Sequence, residues 1–216
     1  MRAIIIDGGK ATRLGYPPPK GLVPIGDKYL MEYLFQRLKE LGIDRATVIL
    51  GFQSVTRFIK SPLAKQVDVV VDYQMEGPLA ALCQVADEFR DSDVVITTGD
   101  AYFERLGQLL SCEEGTVLAL IDRPQKGRPQ IRMKNKKIDY VGRFLKERAV
   151  TYTGIMRVNR CPEFWDAIEM GRDAGMQWIS RPLCFLPKGI VKLRPVLGLP
   201  VNVNTPKDLE LVRGAV

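Results

Sequence analysis

Asp7-Gly8-Gly9-Lys10-Ala11-Thr12-Arg13-Leu14 and, close behind it, Pro19-Lys20-Gly21-Leu22-Val23-Pro24-Ile25 carry the residue types that handle phosphate. Gly8 and Gly9 let backbone N–H groups come close to a phosphate oxygen. Arg13 can fork two phosphate oxygens, and Lys20 can supply a point charge. The set suits a triphosphate whose α-phosphorus is to be attacked. Two standard phosphate loops are excluded. A P-loop needs glycine where Ile4 stands and Ser or Thr where Ala11 stands, and no G-x-G-x-x-G fingerprint is present. A glycine turn beside a surface arginine and lysine would explain the two glycines alone, but not the whole spaced set.

The spacing Gly8-Gly9-x-x-Thr12-Arg13-Leu14, then Pro19-Lys20, then Pro24-Ile25, resembles the signature of the nucleotidyltransferases that make sugar nucleotides. The short spacer between Arg13 and Lys20 is similar to that of the compact members, such as molybdenum cofactor guanylyltransferase, adenosylcobinamide-phosphate guanylyltransferase and inositol-phosphate cytidylyltransferase. The resemblance implies a nucleoside triphosphate held by Gly8, Gly9, Lys10 and Thr12, with Arg13 and Lys20 as the catalytic cations. It also implies Mg²⁺ on Asp100, which follows a β-branched run at Gly99-Asp100, and on Asn204 or Asn202 in Asn202-Val203-Asn204-Thr205-Pro206. Oxygen ligands of this kind suit a magnesium ion that takes water and phosphate for its remaining positions. Tyr73-Gln74-Met75-Glu76-Gly77-Pro78 is similar to the family's second substrate loop, where Gln74 and Gly77 would meet the nucleoside.

The acceptor is read less uniquely. Tyr152-Thr153-Gly154-Ile155 looks like the strand that lines the sugar pocket of sugar-1-phosphate enzymes, so Tyr152 and Gly154 are the candidate acceptor contacts. An ordinary buried strand with a glycine at a close approach is the competing explanation. Lys146 and Glu147 stand near the family's sugar-contacting pair in reversed order and are not carried over. The implied reaction transfers a nucleoside monophosphate to a sugar 1-phosphate or similar phosphorylated small molecule, with pyrophosphate released. A molybdenum cofactor or cobinamide-phosphate type of guanylyltransferase is the alternative. Asp7 departs from the family, which usually has a small neutral residue there. A carboxylate facing a triphosphate would repel it, so either the side chain turns away or the chain is a non-catalytic nucleotide-binding relative. A glycosyltransferase would want an Asp-x-Asp motif, whereas Asp100 is followed by Ala101 and Tyr102.

The elements that must position these residues read as α/β. The expected fold is a three-layer α/β/α sandwich with a Rossmann-like, mostly parallel sheet and an antiparallel addition. Ala3-Ile4-Ile5-Ile6 reads as a buried first strand, followed by strands at 47–50, 67–71 and 94–96. A helix is expected from Asp27, its N-cap, to Leu41, with Gly42 as its stop. Pro78 opens a second helix with Leu79, Leu82, Ala86 and Phe89 on one face. Further strands fall at 117–121 and 151–158, with a hairpin over 131–141 turning at Asn135-Lys136. Helices follow over 162–174 and from Pro206, the last capped by Thr205 with Asp208 near its start. A single nucleotidyltransferase domain over 1–216 is expected, with a nucleotide-binding part over about 1–110, an acceptor-side lobe over about 111–200, and a closing metal-site motif and helix over 201–216.

Composition narrows the partners. The 216 residues include no histidine, which removes His-based triads, His metal sites and the commonest general base. The net charge of +7 fits a polyanionic partner, and much of the excess lies between Arg123 and Arg148. That stretch reads first as a solvated basic face. No zinc-finger spacing, helix-turn-helix pattern or aromatic RNA-binding motif accompanies it, so nucleic acid is not expected as a partner. Cys83, Cys112, Cys161 and Cys184 are widely spaced and read as reduced packing residues. No apolar run approaches the ~20 residues of a bilayer span, and no signal peptide precedes the first strand. A cytoplasmic monomer or homodimer, with no membrane partner, is the resulting expectation. Arg57, Phe58 and the Trp165 helix are open to an interface role or to ordinary packing.

Overall fold

The structure, a computed structural model, describes residues 1–125, 128–144 and 146–216. In chain order its elements are β1 (Arg2–Asp7), β2 (Pro24–Ile25), β3 (Lys28–Tyr29), α1 (Leu30–Lys39), β4 (Ala46–Gly51), α2 (Phe52–Ile59), β5 (Asp68–Asp72), α3 (Pro78–Cys83), α4 (Ala86–Phe89), β6 (Asp93–Thr98), β7 (Ala101–Phe103), β8 (Thr116–Asp122), β9 (Gln130–Lys134), β10 (Lys137–Gly142), β11 (Val150–Asn159), α5 (Pro162–Asp173), β12 (Val191–Pro195), β13 (Pro200–Asn202) and α6 (Pro206–Arg213). They gather into two compact units. The first holds Met1–Met75, Ile96–Gly107 and Leu197–Val216; the second holds Glu76–Val95 and Gln108–Val196.

In the first unit β1 pairs in parallel with β4, and β4 with β5. Ala3, Ile4, Ile5 and Ile6 are buried, as a continuous apolar run with helical cover requires. Parallel neighbours need a crossover, and α2 supplies the one between β4 and β5. The sequence reading has no helix there, because α2 buries only Ser54 and Phe58 and leaves Phe52 and Ile59 exposed. The first long helix also starts later than expected. Gly26 and Asp27 form the turn between β2 and β3, so Asp27 is not the N-cap; the Glu32 carboxylate instead accepts the Tyr29 N–H at 2.6 Å. Gly42, at φ 74°, ends this segment as expected.

The second unit supplies the antiparallel addition. Here β10 pairs with β9, β9 with β11 and β11 with β8, all antiparallel, and β12 joins β8 in parallel. Asn135 and Lys136, at φ 51° and 61°, make the expected hairpin turn. The helix read from Pro78 is two short pieces, α3 and α4. Val85 breaks it at φ −115°, although Leu79, Leu82, Ala86 and Phe89 are all buried. Lys126, within the basic stretch, lies outside the described residues. Of the rest, Arg132 forks Asp139 at 3.1 and 2.8 Å, and Lys134, Lys136 and Lys137 are exposed.

Arg157 on β11 holds the second unit together at one point. It forks Asp93 at 2.9 and 2.7 Å, and its remaining nitrogen donates to the carbonyls of Leu109 and Leu110 at 2.7 and 2.8 Å. Arg157→Ala leaves a partly buried carboxylate without its cation. It is expected to cost about 3 kcal/mol, read as a lower urea midpoint with an unchanged slope.

Candidate active site

The site in the first unit starts at the carboxyl ends of β1 and β6. The Gly99 N–H donates to Ile6 O at 3.0 Å, which sets the two strand ends side by side. Open α/β sheets bind ligands at such ends. Gly8 passes close to the end of β4, where a Cβ on Gly51 would stand 3.1 Å from Gly8 O. Beyond it Gly9, Lys10, Thr12 and Arg13 are exposed on the loop, while Ala11 and Leu14 turn inward and tie the loop down.

Lys20 lies in a short 3-10 turn over Lys20–Leu22, and its side chain runs past Gly9, where a Cβ would meet Lys20 Cε at 3.7 Å. Its Nζ stands 2.7 Å from Asp100 Oδ2 and 2.6 Å from Asn204 Oδ1. Asp100 and Asn204 are fixed to each other through the backbone between them, since the Val203 N–H donates to Asp100 O at 2.7 Å. The Asn204 amide nitrogen donates to Asn202 O at 3.2 Å, which turns Oδ1 towards Lys20. Asn204, and not Asn202, therefore supplies the oxygen at Lys20. The cap of α6 holds this segment: Asp208 accepts the N–H groups of Asn204 and Thr205 at 3.0 and 2.9 Å.

Asp7 turns away from the loop. It is 4% exposed, and its two oxygens accept the N–H groups of Lys20 at 3.2 Å and Gly21 at 2.7 Å. Burial pushes the Asp7 carboxyl up from 3.8 to about 7; the Gly21 N–H pulls it down, the Asp100 charge raises it, and Lys20 lowers it. A carboxyl raised on folding favours the folded state most below about 4, where it is protonated in both states. Between about 4 and 7 the unfolded chain ionises first, so stability falls as pH rises, and above about 7 the loss is complete. The urea midpoint is expected to fall over that window in the wild type, and this fall to be absent from Asp7→Asn.

Arg57 is a supporting residue that sequence reading does not place. From α2 it donates to the carbonyls of Pro17, Pro18 and Leu22, at 3.5 Å for Pro18 and 3.2 Å for Leu22, and so braces the segment that carries Lys20. An arginine one turn along a half-exposed helix offers no local signal of that role. Gln74 is exposed on a turn formed by Asp72, whose carboxylate accepts the N–H groups of Gln74 and Met75 at 3.2 and 3.0 Å.

Gly77, Tyr152 and Gly154 belong to the second unit. Gly77 has φ 115°, and a Cβ there would meet Gln177 at 3.5 Å; the Leu79 N–H donates to Gln177 O at 3.2 Å. The glycine is thus required by protein packing as well as by backbone conformation. Tyr152 is buried at 6% exposure, and burial pushes its hydroxyl above the ordinary tyrosine range. Gly154, at φ 91°, falls where the β11–β8 register shifts between Tyr152 and Met156, so it marks a bulge.

The chain is similar to several known proteins. The low-salt glycan biosynthesis nucleotidyltransferase Agl11 of Haloferax volcanii is 33% identical over 109 residues, 46% of this chain and 30% of that protein. The bifunctional protein GlmU of Thermotoga petrophila is 29% identical over 128 residues, 59% of this chain and 26% of that protein. The chain thus spans less than a third of the length of either relative. Among solved structures, the CTP:phosphocholine cytidylyltransferase LicC of Streptococcus pneumoniae superposes with a TM-score of 0.79 at 17% identity, covering 99% of this chain and 98% of that one, which shows a shared fold. The model of the MobA-like NTP transferase domain matches residues 3–150, well over half of the chain, and the protein belongs to that family.

Proposed function

We propose that the protein transfers a nucleoside monophosphate from a nucleoside triphosphate to a sugar 1-phosphate or similar phosphorylated small molecule, releasing pyrophosphate. The observation that carries this reading is Lys20 Nζ, held between Asp100 Oδ2 and Asn204 Oδ1 beside Gly9. Two oxygens converging on one cation, next to a glycine loop, suit a triphosphate that arrives with its own cation.

A phosphate oxygen of the acceptor attacks the α-phosphorus in line. The bond from that phosphorus to the bridging oxygen breaks, and pyrophosphate leaves. The nucleophile is already anionic, so no protein base is needed in a chain without histidine. Catalysis is positioning and charge neutralisation. Lys20 neutralises the attacked phosphate, and the exposed Arg13 takes the leaving pyrophosphate portion. Gly8, Gly9, Lys10 and Thr12 cradle the phosphates, Gln74 and Gly77 serve the nucleoside, and Tyr152 and Gly154 line the acceptor side.

The donor set fits Mg²⁺. Asp100 Oδ2 and Asn204 Oδ1 are hard oxygens that already share one positive group. Among the described residues no group of three or more His, Cys, Asp or Glu side chains could hold a metal ion, so water and substrate oxygens would complete the shell. Bound there, the ion would supply charge stabilisation at the phosphate oxygens. Asn202 would act through its carbonyl, which orients Asn204. Among the described residues no helix is long and apolar enough to cross a membrane.

The MobA-like match favours a compact guanylyltransferase as the second reading of the acceptor. The test is pyrophosphate release with magnesium across four nucleoside triphosphates and a panel of sugar phosphates, molybdopterin and cobinamide phosphate. Release with one triphosphate and a sugar phosphate is the expected outcome. Release with GTP and molybdopterin or cobinamide phosphate alone selects the second reading. No release from any pair would overturn both.

A further inference from the structure

Asp7 has no part in the chemistry above, yet three pieces of the site close on its carboxylate. Its oxygens accept the N–H groups of Lys20 and Gly21, for which no other acceptor is found among the described residues. The room it occupies is made by glycines. A Cβ on Gly21 would come within 2.7 Å of Asp7 Oδ2, and a Cβ on Gly99 within 2.6 Å of the same atom. Gly21 follows Lys20 and Gly99 precedes Asp100, so one buried side chain spans the backbones that carry both partners of the Lys20–Asp100 pair. Neither partner lies within a strand of the sheet. Lys20 sits in a 3-10 turn and Asp100 in the turn between β6 and β7, which the Gly99 N–H to Ile6 O bond and the Val203 N–H to Asp100 O bond hold in place, so Asp7 joins the Lys20 turn to an already anchored one. A buried N–H left without an acceptor costs the full desolvation of that group. A small neutral side chain at this position would leave two N–H groups unmet and a gap against Gly99.

We infer that Asp7 is a positioning residue: it docks the Lys20 turn against the Gly99–Asp100 turn, so that Lys20 Nζ arrives between Asp100 and Asn204. The consequence for turnover rests on the proposed function; the consequence for the Lys20 turn does not.

Asp7→Ala and Asp7→Asn, each in the full chain, test this with two readouts. The first is amide hydrogen exchange at Lys20 and Gly21. In Asp7→Ala it is expected to accelerate by about tenfold or more, while the β4 amides keep their protection. The second is pyrophosphate release. In Asp7→Ala kcat is expected to fall by about 100-fold, with KM for the triphosphate changed much less. Asp7→Asn keeps one carbonyl acceptor and is expected to recover part of both losses. Unchanged exchange at the two amides would overturn the inference. So would a fall in kcat that only tracks the folded fraction in a thermal melt. If Asp7→Ala does not fold, Asp7→Asn carries the same comparison. If the wild type releases no pyrophosphate with any substrate pair, the proposed function fails, and amide exchange still decides the role of Asp7.

Discussion

Lys20→Ala is expected to lower pyrophosphate release by about 100- to 1,000-fold, the cost of removing one preorganised charge from a developing phosphoryl transition state. The side chain is 14% exposed and sits against Asp100, itself 13% exposed, so its charge acts in a partly dried site. A second readout separates this role from a general loss of structure. Lys20 Nζ occupies the point shared by Asp100 Oδ2 and Asn204 Oδ1, so it competes with any divalent ion for those oxygens. Without nucleotide, Mg²⁺ is therefore expected to raise the melting temperature of Lys20→Ala more than that of the wild type. Wild-type turnover in Lys20→Ala would sink its catalytic role. An equal Mg²⁺ response in the two proteins would show that lysine and metal do not share the oxygens.

Asp100→Asn is expected to abolish measurable turnover, a loss of at least about 100-fold, and to remove the Mg²⁺-induced thermal shift. The substitution keeps the shape of the side chain and leaves the backbone bond from Val203 to Asp100 O in place. What it removes is the carboxylate charge that a hard cation requires. A further consequence concerns Asp7. The Asp100 charge is one of the causes that raise the Asp7 carboxyl, so in Asp100→Asn the pH window of the stability change should move down. Urea midpoints between about pH 4 and 8 would read this shift. An unmoved window, together with retained turnover, would mean that Asp100 is a structural turn residue.

Both experiments concern groups that were named from local sequence, and the reason is physical. The loop proposed to cradle phosphate is a run of adjacent residues whose chemistry depends on type and spacing. Strand runs such as Ala3-Ile4-Ile5-Ile6 and caps such as Thr205-Pro206-x-Asp208 are equally local, and the structure has both. Where a local pattern is weak, the reading fails in a matching way. α2 is unread because its face is half exposed; the helix after Pro78 is read through a break that Val85 imposes without changing which side chains are buried. The direction of Asp7, the choice of Asn204 over Asn202 and the bracing by Arg57 were not legible at all. Lys20 meets Asp100 across 80 residues of chain and Asn204 across 184, and Arg57 reaches Pro17 across 40. The sequence by itself pointed to the groups proposed to bind phosphate and determined strand runs such as Ala3-Ile4-Ile5-Ile6 and the capped last helix, because those depend on neighbours along the chain. Only the tertiary structure decided which oxygen faces Lys20 and which way Asp7 points, because those depend on where separate strand ends and turns meet.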